Sequence, residues 1–504
     1  MIRVSVKSMV AAELVATGVA AALIPWVDWR IAAGVGMVVG LLVCVVTFRS
    51  FAGWQWVRCA LCWLCCRNHT ATLRAPIDIT VDGESVGIVI DGFTITTAIA
   101  VHGKAYVPTL LYAEHAETPN IIPISVIAAQ MRRHGLAVDV DIICEGRRVV
   151  RDNYADLYES FLRGLPVAGQ RSITLLVRFD LRSPQVVPGL TWRRDTLAAA
   201  VAPARRIARA LSQAQCRAQL LTAAQMEAAV AAQLGGTEHV GAGYRDRWTT
   251  LRRAGKAYVT SYSLAAVTAT DIDNVWTHPS DHTVLVVSLR ATDTGIRASA
   301  MVRLTTPQPL PATPAGLIPM TARHWDGITL TLPGTARLAL PSTPVTEALD
   351  GAVVAGASGL LLGRLGDADL LMPVSDPGGP TRIALHADDQ TVRQLIRRAA
   401  ATGERVAVYD PDRRWAMTAG SPGIWTTTDP DATPPRPPTM VVHNGTPNGL
   451  HAGARTLVAV GGAPNGATPD IRIEQRGDRI TVKTARFATA LEGVNYRSEE
   501  SYLR

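Results

Sequence analysis

The chain has 504 residues, of which 48 % are hydrophobic and 18 % charged, and 50 Lys plus Arg against 42 Asp plus Glu leave a net charge of +8. That length holds two or three domains, and the apolar content excludes a wholly disordered chain. The basic excess is spread along the sequence, and several of its residues flank apolar stretches, so anionic lipid is a simpler partner for it than nucleic acid.

Two apolar stretches, residues 9–27 and 31–48, open the chain, separated only by Asp28, Trp29 and Arg30. A helix crossing about 30 Å of hydrocarbon needs roughly 20 residues, so residues 1–50 are expected to form an antiparallel two-span transmembrane hairpin. Arg3 and Lys7 precede it, and Arg49, Arg58, Arg67 and Arg74 follow. The positive-inside rule then puts both termini in the cytosol and makes the chain a multi-pass protein of the inner (cytoplasmic) membrane. A cleaved signal peptide is the rival reading, but the Trp26–Trp29 exit lacks small residues and a second apolar stretch follows at once. Glu13 is costly in lipid, and is expected either near the surface or against a partner helix. Gly36 and Gly40 form one G-x-x-x-G, a spacing that lets helices approach closely.

Residues 51–75 read as a membrane-interfacial segment. Trp54 and Trp56 suit an aromatic belt, with Arg58 beside them. Cys59, Cys62, Cys65 and Cys66 follow a C-x-x-C-x-x-C-C pattern. Such thiols can ligate a metal or an iron–sulfur cluster, or carry palmitate. The surrounding Trp and Leu favour soft apolar cysteines on an amphipathic segment.

A mixed α/β (α+β) cytosolic domain is expected over residues 76–305. Alternation through 77–101, with turns at Asp82-Gly83 and Asp91-Gly92, predicts a β-meander. Pro123 opens a helix over 124–134 that Gly135 stops. A strand over 136–144, a helix over 152–162 and a strand over 172–179 follow. Residues 192–234 are Ala-rich and helical, Pro203 is expected to open a new helix, and Thr222 with Gln225 forms a capping box ended by Gly235-Gly236. Arg193, Arg194, Arg205, Arg206, Arg209 and Arg217 there read as a solvated helix face. Strands at 257–263, 282–289 and 298–304 complete the domain.

Residues 306–320 are a Pro-rich linker. A second α/β portion, 321–428, holds a β-α-β unit over 382–386, 389–401 and 405–409, its helix ended by Gly403. Residues 429–504 are a Pro/Gly-rich loop and C-terminal strands at 470–474 and 479–485, with a polar, frayed end.

Sequence motifs for chemistry are sparse. There is no G-x-x-x-x-G-K-[ST] to cradle nucleotide phosphates, and no G-x-G-x-x-G after a strand, H-E-x-x-H or G-x-S-x-G. Two D-x-D patterns, Asp139/Asp141 and Asp271/Asp273, could hold a divalent ion and sugar-nucleotide phosphates. The first reads most simply as the solvent side of a strand, the second as a loop before Trp276. His69, His102, His134, His282, His324 and His443 are scattered. No enzyme activity, cofactor, metal or small-molecule substrate is expected.

The hairpin, Val86-Gly87-Ile88 with Asp91-Gly92, residues 192–197 (WRRDTL), 245–251 (RDRWTTL) and the run 395–415 together resemble the EccE family, a membrane component of mycobacterial type VII (ESX) secretion systems. The likeness covers roughly residues 1–415, and the tail beyond 430 lies outside it. It implies a non-catalytic structural or regulatory subunit beside EccB, EccC and EccD in the bilayer, with the partner ATPase EccC driving protein export. The family has no catalytic residues to carry over. Contacts are then expected from Glu13, Gly36, Gly40, Trp54, Trp56 and Arg58. The alternative is a membrane-anchored glycosyltransferase-like enzyme using a D-x-D site.

Overall fold

The computed structural model describes residues 6–44, 47–48, 51–52, 60–61, 63–64, 68–70, 74–254, 257–334, 338–417, 420–445, 454–462 and 468–503. Helices Val6–Leu23 (α1) and Trp29–Cys44 (α2) form an antiparallel hairpin, but no helix among the described residues is long and apolar enough to cross a membrane. Both helices are shorter than the apolar stretches 9–27 and 31–48 that were expected to span, for local reasons. Pro25 disfavours helical backbone in the residue before it, so α1 stops at Leu23. Asp28 then accepts from the Arg30 N–H at 2.9 Å and opens α2, so residues 24–28 form the turn. At 1.5 Å per residue, the 16 residues of α2 reach only about 24 Å.

The first sheet begins with Asn68–Thr70 (β1), Ile77–Val81 (β2), Glu84–Asp91 (β3) and Thr94–His102 (β4). The last three are the expected meander. Asp82 and Gly83 both take positive φ (53° and 81°), as a two-residue hairpin turn requires. Asp139–Arg147 (β5), Gln170–Asp180 (β6), Gly243–Asp246 (β7), Leu251–Arg253 (β8), Tyr258–Leu264 (β9), His282–Thr292 (β10) and Gly295–Thr306 (β11) complete it. The strand order is β1-β7-β8-β9-β11-β10-β5-β6-β4-β3-β2. Neighbouring residues along the central strands point to opposite faces, and both faces are buried. Ile142, Leu175, Leu285 and Val302 join one core, while Ile143, Leu176, Val286 and Met301 join another. That double burial explains the nearly continuous apolar runs.

Helices Ile124–Met131 (α3) and Thr196–Gln213 (α5) cover the first face, and Met226 of Ala223–Gln233 (α6) packs on the second; Ala155–Phe161 (α4) lies between β5 and β6 in sequence. α3 is shorter than expected because the chain turns into a small Arg132–Arg133 and Leu136–Ala137 hairpin. Pro203 does not open a helix: α5 runs through it, capped by Asp195. An interior proline costs about 3 kcal/mol, and the buried Ala199, Val201, Ala204, Ile207 and Leu211 along the same helix outweigh it. The Thr222–Gln225 capping box forms as expected.

A second sheet is built from Leu360–Leu365 (β12), Ala368–Met372 (β13), Thr381–His386 (β14), Val406–Tyr409 (β15), Ile424–Thr427 (β16), Met440–Asn444 (β17), Thr456–Val460 (β18), Ile471–Arg476 (β19), Arg479–Thr484 (β20) and Ala488–Glu492 (β21). Its order is β16-β15-β17-β18-β14-β19-β20-β21-β12-β13, continued by the short strand Thr109–Leu111. The ladder from β16 to β19 is parallel and the rest antiparallel. Helix Asp389–Ala401 (α8), capped by Asp388, buries Val392, Leu395, Ile396 and Ala399 on it, so the expected β-α-β unit is present.

The chain end is not frayed. Glu499 is fully buried ahead of the terminal turn Glu500–Leu503 (α9), and Tyr496 and Tyr502 pack on the cluster of Tyr154, Tyr158 and Phe161.

Candidate functional site at the hairpin and its docking edge

Small residues set the hairpin geometry. Ala32, Gly36 and Gly40 line the buried side of α2 at four-residue spacing. A Cβ on Gly36 would stand 2.3 Å from the Ala16 carbonyl oxygen, and one on Gly40 2.5 Å from that of Ala12. Both contacts are with backbone, so only glycine fits, and the G-x-x-x-G closeness is taken up by α1 of the same chain. Glu13 lies off this seam, exposed. So do large apolar side chains: Leu14 is 71 % exposed, Trp26 85 % and Met37 63 %. Trp54, Trp56, Arg58 and the Cys59/Cys62/Cys65/Cys66 cluster lie outside the described residues, apart from their neighbours at 60–61 and 63–64.

The segment after the hairpin is held by an edge of the first sheet. β1 pairs antiparallel with β7, placing Asn68 opposite Arg245 and His69 opposite Tyr244. The His69 ring stacks on Trp325 at 4.6 Å, and burial lowers its pKa against the opposing pull of Asp326. Trp63 meets Trp248 edge-on at 5.3 Å. Trp248 sits in the β7–β8 turn at φ 56°, a costly region for a bulky residue. Two bonds impose it: its N–H donates to Asp246 Oδ1 at 3.0 Å, and its carbonyl accepts from the Ala322 N–H at 2.8 Å. Burial pushes the Asp246 carboxyl up to about 6, against the Trp248 N–H and Trp63.

Three of the six arginines of the expected solvated face are engaged within the molecule. Arg205 pairs with Asp82 and Glu84, and Arg193 donates to the Gly189 and His134 carbonyls. Arg217 grips Asp376 with two bonds of 2.7 Å, tying the first sheet to the loop before β14.

The D-x-D readings change with the structure. Asp141 is not on a solvent face: it is fully buried, accepting from Arg178 (2.7 Å), Arg290 (2.6 Å) and Ser288 (2.6 Å). Burial alone would raise its pKa, but Arg290 and Arg178 hold it below the usual carboxylate range. Asp139 accepts from the Ala291 N–H. Asp271 and Asp273 lie in the helix Ala269–Val275 (α7), not a loop. Carboxylates committed in this way leave little for a cation, and the described residues hold no group of three or more His, Cys, Asp or Glu able to bind a metal. Ser172, Glu145 and His282 do meet, but Ser172 donates to the carboxylate (2.6 Å) and His282 bonds its other oxygen (3.0 Å). The imidazole therefore does not face the hydroxyl, which a nucleophile–base pair requires.

These features describe an α/β body preceded by an apolar helical hairpin. Residues 167–264, which run from just ahead of β6 to the end of β9, match a family described as "Putative type VII ESX secretion system translocon, EccE". The ESX-2 secretion system protein EccE2 of Mycobacterium tuberculosis (strain CDC 1551 / Oshkosh) is 27 % identical over 400 residues, 77 % of this chain and 71 % of that one. The ESX-1 secretion system protein EccE1 of the same strain is 25 % identical over 392 residues, 76 % and 78 % of the two chains. Its namesake from Mycolicibacterium smegmatis is 22 % identical over 409 residues, again 76 % and 78 %. The chain is thus similar to the EccE proteins, the family that its sequence resembles. The matched family region contains the 192–197 and 245–251 runs.

Proposed function

We propose that this protein is a non-catalytic structural or regulatory component of the membrane core of a type VII (ESX) secretion system. The observation that carries the reading is the similarity to EccE2 and EccE1, both named as ESX secretion system proteins, over about three quarters of the chain. EccB-, EccC- and EccD-like membrane components are the partners, and the EccC-like ATPase supplies the energy for export.

In this reading the hairpin enters the cytoplasmic membrane with both termini cytosolic. Support comes from the exposed Leu14, Trp26, Trp29, Met37 and Val38, an apolar surface that water does not favour. Helices of 18 and 16 residues are short for a bilayer, a mismatch that local thinning and flanking Arg accommodate at modest cost. Two helices cannot enclose a polar pore, so the hairpin tethers rather than conducts. Gentle detergent extraction and affinity purification should recover a large assembly containing an EccC-like ATPase. A clean monomer or homodimer, under conditions that keep the rest of that assembly intact, would refute the proposal.

A further inference from the structure

We infer that the gap between β3 and the short strand Arg217–Leu220 is a slot for an extended segment of a partner protein, which completes the sheet there and sets an acidic side chain against Arg209 of α5. The slot is independent of the membrane tether proposed above.

The gap follows from the register. β4 pairs with β3 only over its first half, Thr94–Thr97. Beyond that, its neighbour on the same side is Arg217–Leu220, with Leu220 opposite Ile99 and Arg217 opposite His102. Both neighbours run antiparallel to β4 and therefore parallel to each other, yet they do not pair. The Gly87 N–H donates to the Leu221 carbonyl at 2.8 Å and closes the fork at its base. From there the strands splay around a cleft of about 620 Å³, with Glu84, Ser85 and Val86 facing Ala218, Gln219 and Leu220.

Alternation decides which backbone groups look into the cleft. The two-residue Asp82-Gly83 turn makes Val81 and Glu84 a hydrogen-bonded pair, so Glu84 and Val86 bond to β2. Ser85, like Gly87, turns its N–H and C=O the other way, toward the opposite wall. There Leu221 donates to the Ala98 carbonyl, which assigns Gln219 to β4 and leaves the N–H and C=O of Ala218 and Leu220 toward the cleft. Open strand edges of this kind are templates for another strand.

Helix α5 roofs the cleft and supplies its charge. Arg205, Arg209, Ser212 and Gln213 lie on the face that lines it. Arg205 is already paired with Asp82 and Glu84. Arg209 is exposed and has no ion-pair partner among the described residues. A free anion would meet Arg209 but leave both strand edges unpaired. An extended peptide bonds both edges, and because its side chains alternate between faces, it can direct a carboxylate at Arg209.

The test uses the full chain in detergent, residue-resolved amide hydrogen exchange, and a blocked hexapeptide of alternating valine and glutamate. In the free chain the amides of Ser85, Ala218 and Leu220 should exchange about tenfold or more faster than those of Gly87 and Gln219, and the peptide should slow them about fivefold or more. The same peptide N-methylated at alternate residues should have no effect. Arg209→Glu should lose the glutamate peptide and accept one with lysine in its place. Ser85→Pro, which removes a cleft-facing donor and no bond to β2, should weaken binding in a folded chain. A glutamate peptide that leaves the three amides unchanged overturns the inference. So does slow exchange in the free chain, which means a cleft closed in solution, or protection that grows with chain concentration alone, which assigns the slot to a second copy. Binding that survives N-methylation overturns strand pairing, and binding indifferent to Arg209→Glu overturns the acidic occupant.

Discussion

Arg398 of α8 donates to both carboxylate oxygens of Glu499, at 2.9 Å from Nε and 2.6 Å from Nη2, with both side chains sealed from solvent. Tyr154 adds its hydroxyl to the same carboxylate, and Arg398 also reaches the carbonyls of Leu361 and Val494. The chain end is thereby clamped between α8, β12 and the aromatic cluster around α4. Two buried charges are costly to desolvate, and this pair is tolerated because nearly every donor and acceptor is satisfied.

Removing one partner should therefore be far worse than removing both. Glu499→Leu is expected to destabilise the chain by about 3–5 kcal/mol, because it leaves Arg398 charged and buried. The double variant Glu499→Leu with Arg398→Met should recover most of that loss. Chemical denaturation followed by tyrosine fluorescence measures both. Equal losses for the single and double variants would mean that the clamp is not an ion pair.

The hairpin glycines separate cleanly from their neighbour. Gly36→Ala and Gly40→Ala each drive a Cβ into backbone and should push the helices apart, whereas Gly34→Ala meets nothing within 4 Å. Gly34→Ala should be neutral or stabilise by up to about 1 kcal/mol through reduced backbone freedom. Distances between spin labels on α1 and α2 read the separation. Unchanged distances in the Gly36 variant would contradict the close seam.

Asp246 makes stability pH-dependent in a definite direction. Its folded pKa, about 6, exceeds the ordinary 3.8, so the folded chain holds the proton more tightly than the unfolded one. That contribution is full below about pH 4 and is lost as pH rises through 6. Asp246→Asn should thus match wild type near pH 4 and gain in melting temperature relative to it by pH 7. Asp273, also near 6, keeps a residual slope in the variant. A constant offset across this range would count against the raised carboxyl.

For the D-x-D residues, Asp141→Asn should cost several kcal/mol by breaking a buried pair with Arg178 and Arg290, while Asp271→Asn should stay within about 1 kcal/mol. Neither should change Mn²⁺ binding measured by calorimetry. Specific Mn²⁺ binding lost in a folded Asp271→Asn variant would revive a glycosyltransferase-like reading.

Reporter fusions at Trp29 and Ala75 test topology. A tethering hairpin with cytosolic ends should give opposite compartment readouts, and identical readouts would remove it.

What the sequence determined by itself is local. The Asp82-Gly83 turn, the Thr222–Gln225 capping box and the α8 helix with its flanking strands follow from backbone and side-chain preferences within a few residues, and each appears where the pattern puts it. The family likeness was legible too, because it rests on runs such as 245–251. Tertiary structure decided the rest. Alternation marks two sides of a strand without saying which is wet, so Asp141 read as solvated until sheet-wide burial brought Arg178 and Arg290 to it. Pro203 read as a helix start because its own cost is local, while the packing that overrides it comes from a distant sheet. Nothing near Glu499 in sequence announces Arg398, a hundred residues away, and a polar tail looks frayed until its partner is known. Likewise, the cleft beside Ser85 exists only once Arg217–Leu220 has paired with β4. Short-range preferences are written in consecutive residues, but burial and charge pairing depend on which distant segments the folded chain brings together.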